Sequence, residues 1–280
     1  MDTLVSTDWL ARHLSEPDLV VLDCSVRTEA DDTSMRNISG RADYLKGHIP
    51  TAGFADLKAD LSDTASAVEF APPSPTAFCD AMGRLGVGDD TRVVLYDNSY
   101  GAWAARVWWM LRWVGFNQAA LLDGGLSLWK AEGRAVSTDA PVHPLRNLTP
   151  KLQSRLIAEK AEVKAALETP DVTLIDTLPQ PFFAGETTIY ARPGHIPGAI
   201  NLPGPDLLDA DGRFRPEAEL REMFQGIPDQ RAITYCGGGI LASLNAFVMA
   251  RLGYGDIAVY TASLQEWAAD PSCPMVTGPK

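Results

Sequence analysis

The strongest constraint on this 280-residue chain is that it is written twice. Leu19-Val20-Val21-Leu22-Asp23 reads as a buried strand, and Val172-Thr173-Leu174-Ile175-Asp176 matches it. Gly47-His48-Ile49-Pro50-Thr51-Ala52-Gly53 recurs as Gly194-His195-Ile196-Pro197-Gly198-Ala199-Ile200. Arg92 to Tyr96 returns as Arg231 to Tyr235, Gly115-Phe116 as Gly253-Tyr254, and Leu126 to Trp129 as Leu264 to Trp267. The blocks keep one order and lie about 140 residues apart, a period too long for a solenoid repeat. We therefore expect two homologous domains, 1–136 and 151–280, joined by a proline-rich polar link at 137–150. In each, strands alternate with helices, which implies an α/β fold: a parallel sheet flanked by helices on both faces. Functional sites in such sheets lie beyond the carboxyl ends of the strands.

A hydrophobic content of 46% suffices for two cores, and a net charge of −12 argues against nucleic-acid or anionic-membrane partners. We find no apolar run of about 18 residues. The opening Met1-Asp2-Thr3-Leu4-Val5-Ser6-Thr7-Asp8 has neither the basic start nor the apolar centre of a signal peptide. The four cysteines, Cys24, Cys79, Cys236 and Cys273, are widely spaced. That spacing speaks against a disulfide framework or a zinc site and suits a reducing, cytoplasmic setting. Further elements read as helices over Pro75–Leu85 and Ala102–Val114, and as a polar, irregular stretch at 27–43 containing Glu29, Asp31, Asp32 and Arg36.

Chemistry concentrates at Ala232-Ile233-Thr234-Tyr235-Cys236-Gly237-Gly238-Gly239-Ile240-Leu241. An apolar strand ends at a cysteine, three glycines follow, and a helix begins whose apolar positions are Leu241, Leu244, Phe247, Val248 and Leu252. Glycines there let successive backbone N–H groups turn toward one point at a helix N-terminus, which makes an anion-binding nest. A thiol held in such a nest has its anion favoured, so Cys236 is a candidate nucleophile. The bland alternative is a buried free cysteine beside a tight turn. The matching position in the first half is Asp97, which cannot do thiol chemistry. We read that half as a divergent copy that walls a cleft.

The chain resembles the tandem-domain rhodanese-like sulfurtransferases, the thiosulfate and 3-mercaptopyruvate sulfurtransferases. The resemblance is carried by Gly47-His48-Ile49-Pro50, by Tyr96-Asp97 with Arg106-Val107-Trp108-Trp109, and by Leu122-Asp123-Gly124-Gly125-Leu126 with Trp129. It is carried again by Gly194-His195-Ile196-Pro197-Gly198-Ala199 and Tyr235-Cys236-Gly237-Gly238-Gly239. It implies two rhodanese-like domains, the second one catalytic, with the site between them. It also implies transfer of a sulfane sulfur from a donor, 3-mercaptopyruvate or thiosulfate-like, to a thiol or cyanide through a Cys236 persulfide. The backbone N–H groups of Gly237, Gly238, Gly239, Ile240 and Leu241 would cradle the added charge. No cofactor or metal is implied, and a thioredoxin-like reductant is a candidate partner.

The chain departs from that pattern in places. Thiosulfate-type members carry basic residues just after the cysteine, where this chain has Gly237 and Gly238. Mercaptopyruvate-type members carry a serine at the position of Gly238. Arginines that hold the donor's acid group commonly follow the strand ending at Asp176, but here the residues are Leu178-Pro179-Gln180-Pro181-Phe182-Phe183. Arg192 is a candidate replacement, and His48 a candidate proton carrier. The alternatives are a solvated loop cation for Arg192 and a structural turn for His48, since His195 repeats the motif. We read Arg106 and Trp108 as packing residues, and Cys24, Cys79 and Cys273 as inert. A dual-specificity phosphatase needs an arginine six residues past the cysteine, and Ala242 stands there. The competing function is a protein-to-protein persulfide relay or a sulfur-carrier binding module with little small-molecule turnover.

Overall fold

A computed structural model of the chain describes residues 1–30 and 35–278. The first half contains strands β1 (Leu4–Val5), β2 (Leu19–Asp23), β3 (Val26–Ala30), β4 (Met35–Ser39), β5 (Gly53–Phe54), β6 (Arg92–Tyr96) and β7 (Ala119–Leu122). Its helices are α1 (Thr7–His13), α2 (Arg41–Tyr44), α3 (Pro75–Arg84), α4 (Ala102–Trp113) and α5 (Gly125–Ala131). The second half contains β8 (Ile157–Ala158), β9 (Val172–Asp176), β10 (Ile200–Asn201), β11 (Arg231–Tyr235) and β12 (Ile257–Tyr260). Its helices are α6 (Lys160–Ala166), α7 (Gln180–Phe183), α8 (Glu217–Met223), α9 (Ile240–Leu252) and α10 (Ser263–Trp267).

Among the described residues, each half forms a five-stranded parallel sheet. The orders are β1-β7-β6-β2-β5 and β8-β12-β11-β9-β10. The duplication extends to register: Asp23 lies opposite Tyr96 in the first sheet and Asp176 opposite Tyr235 in the second. β2 is buried along its whole length, as expected of a parallel strand covered on both faces.

The two tyrosines explain why the Gly-His-Ile-Pro block had to recur. Tyr96 Oη accepts from the Ile49 N–H at 3.2 Å, and Tyr235 Oη accepts from the Ile196 N–H at 3.0 Å. Each histidine then lies flat on an aromatic ring, His48 on Tyr44 and His195 on Phe183, with Nδ1 against the same residue's carbonyl. The block is a structural turn pinned to the central strand.

Helices α4 and α9 follow the equivalent strands β6 and β11 and pack against each other across the two halves. Trp108 of α4 meets Phe247 of α9 edge to face at 4.8 Å, and its Nε1 donates to Ala119 O at 2.9 Å. Both helices are apolar on nearly every face because both are buried on nearly every face. Aromatic side chains buried in this way contribute roughly 2–3 kcal/mol each. Trp108 is thus the packing residue its sequence suggested.

The stretch expected to be irregular at 27–43 instead holds an antiparallel hairpin, β3 against β4, followed by α2. Thr28 bonds to Asn37 across it at 2.9 Å, a polar cross-strand pair that an alternation of apolar residues would not reveal. Asp31 and Asp32 lie outside the described residues. Among the described residues, no helix is long and apolar enough to cross a membrane.

Candidate active site

β11 delivers Cys236 to the carboxyl edge of the second sheet, and the next three residues turn into α9. Each glycine has its own reason. A Cβ on Gly237 would stand 1.8 Å from Tyr190 Oη, and one on Gly238 would stand 2.4 Å from Gln265 Nε2. Gly239 is left-handed, with φ +79°, and caps α9. Its N–H donates to Cys236 Sγ at 3.1 Å. The cysteine is 3% exposed.

The loop is held from behind by β12 and α10. The Cys236 N–H donates to Ser263 Oγ at 3.1 Å, and that hydroxyl donates to Tyr260 O at 2.6 Å. Leu264 N–H donates to Cys236 O, and Gln265 N–H to Gly237 O. Ser263 adopts φ +49°, a conformation few non-glycine residues hold without surrounding constraint.

Cys236, Gly237 and Gly238 open onto a cavity of about 750 Å3. Its second-half wall includes Leu178, Tyr190, Ile240 and Leu241. Its first-half wall includes Phe70, Trp103 and the hairpin residues Val26, Thr28 and Asn37. Gln265 bridges the halves, its Oε1 accepting from the Glu69 N–H at 2.7 Å. Among the described residues, no group of three or more His, Cys, Asp or Glu is placed to hold a metal ion.

The rhodanese-like domain family matches residues 6–132 and again residues 159–270. The chain belongs to the rhodanese family. At 37% identity, 98% of it aligns with 98% of a probable 3-mercaptopyruvate sulfurtransferase of Pseudomonas aeruginosa. It is 32% identical to the thiosulfate sulfurtransferase of Mus musculus, over 94% of this chain and 91% of that one. The crystal structure of SseA from Escherichia coli, a 3-mercaptopyruvate sulfotransferase, matches with a TM-score of 0.83 at 30% identity, covering 94% and 99% of the two chains. This rhodanese chain is a sulfurtransferase.

The first rhodanese half gives an internal control on the nest. Asp97 occupies the position of Cys236, and its carboxylate accepts N–H bonds from Ser99, Gly101, Trp103 and Ala104 at 2.9–3.0 Å. The same strand-to-helix turn therefore binds an anion in one half and presents a thiol in the other. Those bonds make Asp97 a cap for α4, in line with its reading as a divergent copy.

Two candidates do not reach the cavity. His48 is fully buried in the first half, with Nδ1 at Tyr44 O (2.8 Å) and Nε2 at Asp139 O (3.1 Å). Both ring nitrogens are spent on the fold. Arg192 donates to the carbonyls of Ala268, Cys273, Trp267 and Asp270, tying down the chain after α10. It is a peptide clamp and does not meet a donor's acid group. Ile240 and Leu241 do line the cavity, and the amide bonded to the sulfur belongs to Gly239. Phe183 is core and Phe182 half-buried against it, so neither walls the pocket. Cys24, Cys79 and Cys273 are buried free thiols, and burial raises all three, Cys79 to about 11.

Arg106 was read as packing, and the structure gives it more. It comes from α4 of the first rhodanese half, is 0% exposed, and donates Nη2 to Phe70 O at 2.8 Å. Its Nε and Nη1 have no partner among the described residues. Nη1 points at the cysteine loop, 3.2 Å from where a Gly239 Cβ would stand. Burial pushes the guanidinium down to about 10, against the pull of Cys236, so it is cationic at neutral pH. Tyr190 and Gln265 were also missed. The signal for them lay in Gly237 and Gly238, whose missing side chains leave the room they fill.

Asp176, at the end of β9, is 0% exposed, and burial raises it to about 7. Its Oδ1 accepts from the Leu178 N–H at 2.9 Å, whereas Oδ2 has no partner among the described residues. The folded state therefore binds this proton more tightly than the unfolded chain. The stabilisation is complete below the unfolded value near 4 and is lost as pH rises through about 7. Asp176→Asn carries no charge at any pH. Between pH 5 and 7 the variant should gain ~2 kcal/mol on the wild type in chemical denaturation. Parallel stability curves for the two proteins would count against this account.

Proposed function

We propose that the chain moves a sulfane sulfur from an organic thiol donor of the 3-mercaptopyruvate type to a thiophilic acceptor, through a persulfide on Cys236. The observation that carries this reading is the 3.1 Å bond from the Gly239 N–H to Cys236 Sγ at the N-terminus of α9, beside the cavity. Gly237 to Leu241 form the loop that surrounds the anionic sulfur, and residues 137–150 link the two domains. The acceptor is cyanide or a thiol, with a thioredoxin-like protein as the physiological reductant. Buried, unpaired cysteines suit the reducing cytoplasm as its location.

Charge supports the organic donor over thiosulfate. Among the described lining residues Arg27 is the cation, and it is paired with Glu29 at 2.9 Å. A small dianion entering this cavity would lack the charge-assisted partners that normally hold one. The Pseudomonas aeruginosa and Escherichia coli relatives, a probable 3-mercaptopyruvate sulfurtransferase and a 3-mercaptopyruvate sulfurtransferase, point the same way. The size of the cavity favours a second reading: about 750 Å3 lies in the range of drug-sized ligands and far exceeds a three-carbon acid. A larger thiol, or a cysteine presented by a partner protein in a persulfide relay, would use that room.

A donor panel separates these. Purified protein is mixed with 3-mercaptopyruvate or thiosulfate, followed by intact mass for one added sulfur, and discharged with cyanide. Loading by mercaptopyruvate should exceed loading by thiosulfate at least about tenfold, equivalent to about 1.4 kcal/mol. A preference for thiosulfate overturns the donor assignment. Loading without turnover to cyanide or small thiols favours the relay.

A further inference from the structure

Sulfur leaves 3-mercaptopyruvate with a difficulty that thiosulfate does not pose: its carbon departs as an enolate and must be protonated. The side chains expected to serve that need are missing. Gly238 has no hydroxyl, and a serine there would put its Cβ 2.4 Å from Gln265 Nε2. His48 is bonded into the first-half fold. Asp97 and Ser99 are bonded to each other in the capped turn of α4, and Glu69 is tied to Lys58 and Asn37.

Tyr190 stands where such a donor is needed. Its hydroxyl lies against the Cα of Gly237, so close that any side chain there would overlap it. It lines the same cavity as Cys236. Among the described residues the hydrogen bonds of Tyr190 run through its backbone to Thr188 Oγ1, and the phenol lines the cavity.

We propose that Tyr190 is the catalytic proton donor to the carbon that loses its sulfur. The assignment rests on the mercaptopyruvate-type donor argued above. The Cys236 thiolate attacks the donor sulfur; an S–S bond forms, and the C–S bond breaks with its electron pair on the methylene carbon. The Tyr190 hydroxyl gives its proton to that carbon and the keto acid leaves. The donor's own thiol hydrogen is then on the outer sulfur of Cys236–S–SH. It passes to the phenolate, leaving Cys236–S–S⁻ and a restored phenol. The two sulfurs of the new S–S bond are each oxidised by one electron as the donor carbon is reduced by two, so no outside oxidant or reductant is consumed. Burial and the negative Cys236 raise the phenol well above its ordinary value, which keeps it protonated until a base as strong as an enolate arrives.

Tyr190→Phe tests the assignment with two donors. Inorganic polysulfide loads a persulfide by expelling a stable anion that needs no proton, whereas mercaptopyruvate does need one. In single-turnover loading followed by intact mass, the variant should match the wild type with polysulfide within about twofold. With mercaptopyruvate it should be slower by about tenfold or more. Equal rates with both donors would overturn the role, and so would equal losses with both, which would mark Tyr190 as a structural wall. A wild-type protein that loads from polysulfide but not from mercaptopyruvate removes the donor reading itself, and that failure appears before any variant is made.

Discussion

Cys236→Ser is expected to abolish sulfur transfer, to below about one part in a thousand of wild type, while leaving the fold intact. Serine fits the space, and the Gly239 N–H that now donates to Sγ at 3.1 Å can donate to Oγ. The chemistry does not survive. A hydroxyl stays protonated where a thiol ionises, and oxygen cannot carry the second sulfur as a stable intermediate. No other cysteine should substitute, since Cys24, Cys79 and Cys273 are buried and burial raises each thiol. Wild-type protein given a donor should therefore gain one sulfur by intact mass, and the variant none. Sulfur bound by the variant would mean the reactive thiol lies elsewhere, and the reading of the triple-glycine loop would fall with it.

The twofold plan and the cysteine turn were legible because both are local signals. Continuous apolar runs ended in Asp23 and Asp176, and glycines stood at the strand-to-helix turn. The repeat also held the answer for His48. A motif present in both halves had to do something both halves need, and it pins a turn to Tyr96 in one and to Tyr235 in the other. Arg192 was misassigned because a loop arginine looks alike in sequence whether it meets solvent, a ligand or four carbonyls. The cavity wall was not legible. Tyr190, Gln265 and the β3–β4 hairpin reach Cys236 only through tertiary packing, and no spacing along the chain encodes that approach. Gly237 and Gly238 bear the imprint of those neighbours, as residues kept bare so that something else can come close.

Arg106→Met is expected to slow alkylation and sulfur loading of Cys236 at pH 7 by on the order of 30-fold, with little loss of stability. The guanidinium is buried, and among the described residues two of its three nitrogens have no partner and no carboxylate bonds to it. A thiolate on Cys236 would be the anion that complements it. Gly239 N lies 3.1 Å from Sγ, and Arg106 Nη1 lies 3.2 Å from the position of a Gly239 Cβ, so cation and sulfur are within about 9 Å. At an effective permittivity near 20 a unit charge at that range is worth roughly 2 kcal/mol, hence the size of the effect. Stability should respond differently. Methionine keeps the apolar stem, and removing a buried unpaired charge is often neutral or favourable. Against that stands the Phe70 carbonyl, which loses its donor at a cost of about 1 kcal/mol. The defect should shrink as pH is raised toward 10, because burial brings the wild-type guanidinium down to about 10 and it loses its charge there, and Arg106→Lys should recover much of the rate. A defect that is flat with pH, or that lysine does not relieve, would mean Arg106 only shapes the loop. If instead both signs hold, the half that carries Asp97 in the cysteine's position supplies the positive charge on which the other half's sulfur chemistry depends.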